Sequence, residues 1–369
     1  MRLSFLRRFT IDPLLTSVPM TEDQRANPVV RALHRRREQG SRPGVRDDGL
    51  RIALAIEGGG MRGVVSAGMA AAIEQLGLTD AFDEVHGASA GAFNAAFLLS
   101  GQAAYMTALY QHGFGNPIFT SGLRVLRGGP VFDLDYVVGE VWRAQRPLRA
   151  EIALTRGIEL HCTATDVSRA EIVDLTDLRS ADEIRCAMRA SARLPWLAGP
   201  PVGFRGMALL DATLAEAIPV GVPLHSATHV LVLQTRPHGV DHTPLSGAVA
   251  RLTDGYLRKL NPALQELRRG RSERYDALSA GLAARAADSS ASPAVCVIRP
   301  PAGTRSVGQM ENRMAMLQAA GGIGLRAAWM ALAGEDPELL SAPRAFPRAP
   351  LAAAEAQAEA AVQRVRSTA

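Results

Sequence analysis

The feature that most constrains the fold occurs twice in succession: an apolar run, a glycine turn, then a helix of small residues. Residues 50–56 (LRIALAI) lead into Glu57-Gly58-Gly59-Gly60-Met61-Arg62-Gly63, and residues 64–76 read as a helix ending near Gly77. Residues 82–85 then lead into Gly87-Ala88-Ser89-Ala90-Gly91, and residues 90–99 (AGAFNAAFLL) form the second helix. Strands that alternate with helices in this way predict a mainly parallel sheet with helices on both faces. The expectation is therefore an α/β fold: a three-layer, open, mainly parallel sheet, followed by a helical C-terminal region.

The rest of the chain extends that reading. Residues 157–165 and 170–175 read as a strand pair, 181–192 as a small-residue helix stopped by Pro195, and 207–210 as a short strand running into Asp211. Residues 228–235 (THVLVLQT) and 294–298 are further strands, with a helical pair expected over 245–287. A helix over 311–332 carries Gly321-Gly322 as an internal weak point, and the last twenty residues suit a solvent-facing helix. Residues 131–143 are also read as helical, after a loop-rich stretch from Gly113 to Gly129 that lies where a substrate cover could sit. We expect three regions: a basic extension over 1–49, an α/β core over 50–236, and C-terminal helices with one core strand over 237–369.

Charge and cysteine usage narrow the class. The net charge is +5 over 369 residues, which allows attraction to anionic surfaces without requiring it. No nucleic-acid partner is expected. The cluster His34-Arg35-Arg36-Arg37, with Arg42 and Arg46, reads first as a solvated helix end and second as a phosphate or lipid contact. Cys162, Cys186 and Cys296 have no paired spacing and suit a reduced compartment. No signal peptide and no long apolar run is found, so the expectation is a cytoplasmic protein that can touch a membrane surface.

Gly87-Ala88-Ser89-Ala90-Gly91 has the Gly-x-Ser-x-Gly pattern of a nucleophile elbow, a sharp strand-to-helix turn that exposes a serine hydroxyl. Small-residue packing is the competing reading. Gly58 to Gly63 fits Gly-x-Gly-x-x-Gly, so a dinucleotide site is one alternative. That reading wants an acid at the end of the next strand, where Gly87-Ala88-Ser89 stands instead. The other reading is an oxyanion hole, with Gly59 and Gly60 N–H groups beside Arg62. His86, His161 and His229 lie in or beside strands and read as core or edge histidines, which leaves Asp211 as the better partner for Ser89. An aspartate at the carboxyl end of a strand lies where open α/β sheets bind ligands; a cap of the following turn is the alternative.

In order and spacing, the 58–63 loop, the 87–91 elbow and Asp211 resemble the patatin-like phospholipases, over about residues 50 to 236. The stretch AMRASARLP (187–195) and the run Ile218-Pro219-Val220 are similar to that family's as well. The resemblance implies a Ser89–Asp211 dyad without histidine, an oxyanion hole from Gly58, Gly59, Gly60, Arg62 and Gly63, and an elbow framed by Gly87 and Gly91. It implies a serine acyl hydrolase of the phospholipase A or lysophospholipase kind that cleaves lipid or other carboxylic esters through an acyl-enzyme. No cofactor and no metal are implied. The family's glycine after the aspartate is Ala212 here. That departure keeps open a catalytically weakened, lipid-binding relative.

Overall fold

The computed structural model describes residues 27–112, 129–145, 147–237 and 247–334. In chain order the principal elements begin with α1 (Pro28–Glu38), β1 (Ile52–Ile56), α2 (Gly63–Gln75), β2 (Glu84–Ala88), α3 (Ala90–Leu99), α4 (Ala103–His112) and α5 (Ala150–Thr155). Then come β3 (Glu159–Asp166), β4 (Glu171–Leu175), α6 (Ala181–Ser191), β5 (Val202–Phe204), β6 (Met207–Asp211), α7 (Pro223–Ser226) and β7 (His229–Leu233). The chain continues with α8 (Gly247–Leu260), α9 (Pro262–Arg269), α10 (Arg271–Ala287), β8 (Ala294–Ile298) and α11 (Met314–Ala333).

The sheet runs β5-β6-β3-β2-β1-β7-β8, with β4 also paired to β3. The β3-β2-β1-β7-β8 block is parallel; β4 and β6 pair antiparallel with β3, and β5 pairs antiparallel with β6. Short apolar strands buried on both faces, such as IALAI in β1, are what a parallel sheet covered by helices demands. On one face Leu54, Ile56, Val85 and Leu231 join the main core with residues of α1 to α4 and α11. On the other, Ala53, Ala55, Val230, Val232 and Val295 pack with Ile218, Val220, and Tyr275 and Leu282 of α10.

Several expectations change in detail. The pair expected over 245–287 is three helices, because Asn261-Pro262 caps and starts α9 and Gly270 precedes α10. The 131–143 helix is instead a short turn, Leu134–Tyr136, followed by a π-helical stretch, Val137–Gln145. Strand β5 is an addition, formed where Val202–Phe204 folds back on β6. Gly321-Gly322 is no weak point, since α11 runs unbroken through it. A Cβ on Gly321 would meet the Gln111 and Thr107 side chains, and one on Gly324 would lie 2.0 Å from the Val65 carbonyl oxygen. The glycines let α11 and α2 approach backbone to backbone. The Gly113 to Gly129 loop, for residues 113–128, the extreme N-terminus and the last twenty residues lie outside the described residues.

The basic run at 34–46 is not simply a solvated helix end. Arg35 and Arg42 are exposed, but Arg36 is buried. Its guanidinium donates to Asp48 Oδ1 and Oδ2, Asp83 Oδ2 and the carbonyls of Ala81 and Leu50. Arg46 donates to the other Asp83 oxygen and to the Phe82 and Asp80 carbonyls. The run therefore ties α1 to the entries of β1 and β2.

Candidate active site

The glycine loop leaves β1 and is held from several sides. Gly59 and Gly60 adopt φ of 159° and 57°, and the second of these is a left-handed conformation that suits glycine. The Gly58 N–H donates to the Ala217 carbonyl, and Met61 N–H to the Gln309 carbonyl. Among the described residues the Gly59 and Gly60 N–H groups have no acceptor, so they are the loop's free donors. Gly58 contributes closeness instead: a Cβ there would lie 2.9 Å from the Ser89 Cβ and 2.4 Å from the Ala88 carbonyl oxygen. The buried Arg62 guanidinium lies against Gly59, and its Nε donates to Thr235 Oγ1 at 2.9 Å. Gly63 starts α2 against Tyr110 and Ala90.

Ser89 sits between β2 and α3 at φ 53° and ψ −121°. That is an uncommon conformation for a residue with a Cβ, and it is the strained turn that a nucleophile elbow uses. The elbow closes because its glycines leave room. A Cβ on Gly87 would be 2.5 Å from the Ala92 Cα, and one on Gly91 would be 2.1 Å from the Ile56 carbonyl oxygen. The Ser89 N–H donates to Ser191 Oγ at 2.8 Å. That amide is therefore engaged within the protein.

Ser89 Oγ donates to Asp211 Oδ2 at 2.7 Å, with Ser89 5% exposed and Asp211 fully buried. Asp211 ends β6 as expected, and that strand runs antiparallel to β3. Register sets its level. Ala88 pairs with Thr163, and the neighbouring Ala164 pairs with Asp211, so the aspartate is level with the elbow. The other carboxylate oxygen accepts from Thr213 N–H at 2.8 Å and Thr213 Oγ1 at 2.6 Å. The turn cap expected as an alternative thus coexists with the serine contact, one oxygen serving each. Ala212 is buried and does not take a positive φ, so alanine fits where the family has glycine.

Burial pushes the Asp211 carboxyl up from its ordinary range, while hydrogen bonds from Thr213 and Ser89 and the charge of Arg271 pull it back. Arg271 feels that carboxylate together with Arg62 and Arg236, and burial brings it down to about 10. Thr213, Ser191 and Arg271 are the site residues that sequence reasoning missed. Thr213 was open to detection as the hydroxyl of an Asp-x-Thr turn, and Ser191 as part of AMRASARLP. Nothing local points to Arg271. The acids nearest the spacing that a dinucleotide site would want are Asp83 and Glu84, and they lie at the entry of β2, away from the glycine loop, where Arg36, Arg46 and Arg51 hold them.

Fold and site together define a three-layer α/β protein that buries a serine elbow against an aspartate. Residues 54–224 match the family model described as patatin-like phospholipase. The uncharacterised protein YjjU of Escherichia coli (strain K12) is 30% identical over 199 residues. That match covers 53% of this chain and 54% of YjjU, about half of each. Among solved structures, VipD from Legionella pneumophila aligns over 85% of this chain and 75% of its own, with 14% identity and a TM-score of 0.43. The complex of SpcU with ExoU, from the type III secretion system of Pseudomonas aeruginosa, aligns over 85% and 77%, with 14% identity and a TM-score of 0.25. Among the described residues no helix is long and apolar enough to cross a membrane.

Proposed function

We propose that the chain is a serine acyl hydrolase that cleaves carboxylic ester bonds of lipids, as a phospholipase A or lysophospholipase does. The observation that carries this reading is the 2.7 Å hydrogen bond from Ser89 Oγ to a fully buried carboxylate. Ser89 Oγ attacks the ester carbonyl as its proton passes to Asp211 Oδ2. The carbonyl oxygen becomes an oxyanion facing the Gly59 and Gly60 N–H groups, with Arg62 adding positive potential. Each such donor is worth about 3 kcal/mol in the transition state. Collapse breaks the ester C–O bond, and the leaving alkoxide takes the proton from Asp211. Water then gives a proton to Asp211 and attacks the acyl-enzyme, and the proton returns to Ser89 Oγ as the carboxylic acid leaves.

Thr213 is a positioning residue in this scheme, since it fixes the oxygen that does not touch serine. Residues 50–236 form the catalytic core, and Gln309, which holds Met61, ties the C-terminal region to the glycine loop. Three cysteines without paired spacing support a cytoplasmic location for this reading, and the net charge of +5 supports transient contact with an anionic membrane surface. A catalytically weakened lipid binder is the competing reading. The test is fluorophosphonate labelling with mass-spectrometric site mapping, without added metal. Labelling at Ser89 that is lost in Ser89→Ala and Asp211→Asn is expected. A folded wild type that binds lipid but takes no label would leave the weakened binder standing.

A further inference from the structure

One sheet face changes character halfway across. On β1, β7 and β8 it presents Ala53, Ala55, Val230, Val232 and Val295 to the core under α10. On β2 and β3 the same face presents Glu84 and His86, then Glu159 and His161. The parallel register sets Glu84 opposite Glu159 and His86 opposite His161, a two-by-two block of chemistry-bearing side chains. Glu84 and His86 are fully buried and His161 nearly so. The serine mechanism uses none of them.

The contacts within the block are unevenly satisfied. The two imidazoles stack with ring centres 4.1 Å apart. His161 Nδ1 lies 2.6 Å from Asp174 Oδ2. A carboxylate on Nδ1 favours the tautomer with its lone pair on Nε2, where Glu159 Oε2 lies 3.4 Å away and a cation would take that contact's place. Glu84 Oε2 is held by Arg51, while Oε1 takes the Ser226 hydroxyl and lies 3.4 Å from His86 Nε2. Neither His86 ring nitrogen makes a hydrogen bond, although the residue has no exposed surface. A buried polar ring whose nearest acceptor is a poorly formed contact with Glu84 Oε1 is costly. Among the described residues, Glu84 and Glu159 share one guanidinium, that of Arg51, while Asp174 faces His161.

We propose that Glu84, His86 and His161 form a binding site for a divalent transition-metal ion, Zn²⁺ fitting best, with Asp174 as the carboxylate that orients His161. Each of the three side chains offers one ligand atom, and these atoms lie within 4.8 Å of one another. Ligands at about 2.1 Å around a tetrahedral ion stand about 3.4 Å apart, so small side-chain rotations close the site. Two imidazoles and a carboxylate are the donor set that zinc takes. The ion is structural and off the reaction path. It bolts β2 to β3 three residues before Ser89, and it needs no assumption about the ester chemistry.

The test is the metal content of the untagged full-length chain, purified after growth with added zinc and separately refolded with Co²⁺. About one equivalent of Zn²⁺ per chain is expected, with a Co²⁺ adduct showing the visible absorption of a four-coordinate site. Glu84→Gln and His161→Gln should each lower the metal retained, and Asp174→Asn should weaken affinity about tenfold. His225→Gln, at an exposed histidine, should change nothing. A folded wild type that holds no metal under either condition overturns the proposal. So does equal binding by wild type and the ligand variants. If those variants fail to fold, the wild-type cobalt spectrum alone decides, and an octahedral or absent signal counts against the site.

Discussion

The two ends of the sheet both bury arginines, and they treat them in opposite ways. At the amino ends of β1 and β2, Arg36 and Arg46 meet Asp48 and Asp83, two guanidinium groups for two carboxylates. Almost every donor there has a short hydrogen bond, and Asp48 is held down to about 2, chiefly by its bond with Arg36. Around the serine site, the described residues place Arg62, Arg271 and Arg299 near the acids Glu57 and Asp211. Burial there lowers Arg62, Arg271 and Arg299. The balanced group is spent on holding the fold. The surplus group keeps positive potential in reserve, which on the proposed chemistry is met when the oxyanion forms.

Substitutions sharpen that contrast, beginning with the largest effect. Ser89→Ala should cut kcat on a chromogenic ester by about 10⁴-fold or more, with the melting temperature little changed. Retention of a tenth of the wild-type rate would sink the assignment of the nucleophile. Asp211→Asn should lose about 10³- to 10⁴-fold in rate. Its stability effect has the opposite sign. A carboxyl whose folded pKa is raised favours the protonated fold, so its contribution declines as pH rises from the ordinary carboxylate range through the folded value. The amide removes that penalty, and Asp211→Asn should melt a few degrees higher than wild type at neutral pH. An equal or lower melting temperature would show that the hydrogen bonds from Ser89 and Thr213 outweigh burial.

At the balanced end the readout changes from rate to stability. Arg36→Met leaves Asp48 and Asp83 without their main partner and should cost about 3–5 kcal/mol in urea unfolding, with kcat per folded molecule unchanged. A loss of rate without a loss of stability would erase the distinction between the two ends. Arg271→Met should lower kcat/KM about tenfold. It should also move the acid limb of the pH–rate profile upward, since a cation that favours the Asp211 anion is gone. The smallest effect is acid sensitivity. The contribution of Asp48 is complete above its ordinary range and is lost as pH falls through about 2. Asp48→Asn should flatten that part of a stability–pH curve.

What was legible in the sequence was whatever is local. The two strand–turn–helix units, the elbow and the glycine loop need neighbours a few residues apart, so their patterns survive in one dimension. What was hidden depends on register or on distant partners. Arg36 reads as solvated because its partner Asp83 stands 47 positions away. His86 and His161 each read as a core or edge histidine, and only the β2–β3 register makes them neighbours. Asp211 was legible as the end of a strand, but the pairing level that brings it to Ser89 was not. Gly321-Gly322 resembles a breaker until α2 is seen against it, because propensity describes an isolated helix and contact describes a packed one.

The glycine contact between α2 and α11 also has a genetic consequence. Gly68 faces the Gly321 carbonyl and Gly324 faces that of Val65, so these positions share one interhelical gap despite their separation along the chain. In a saturation library they would behave as a single locus, each intolerant of any added methyl and none rescued by a small change in another. The helix that carries the glycine loop would thus be inherited together with the last helix of the described chain, and the two segments would resist exchange between relatives unless moved as a pair.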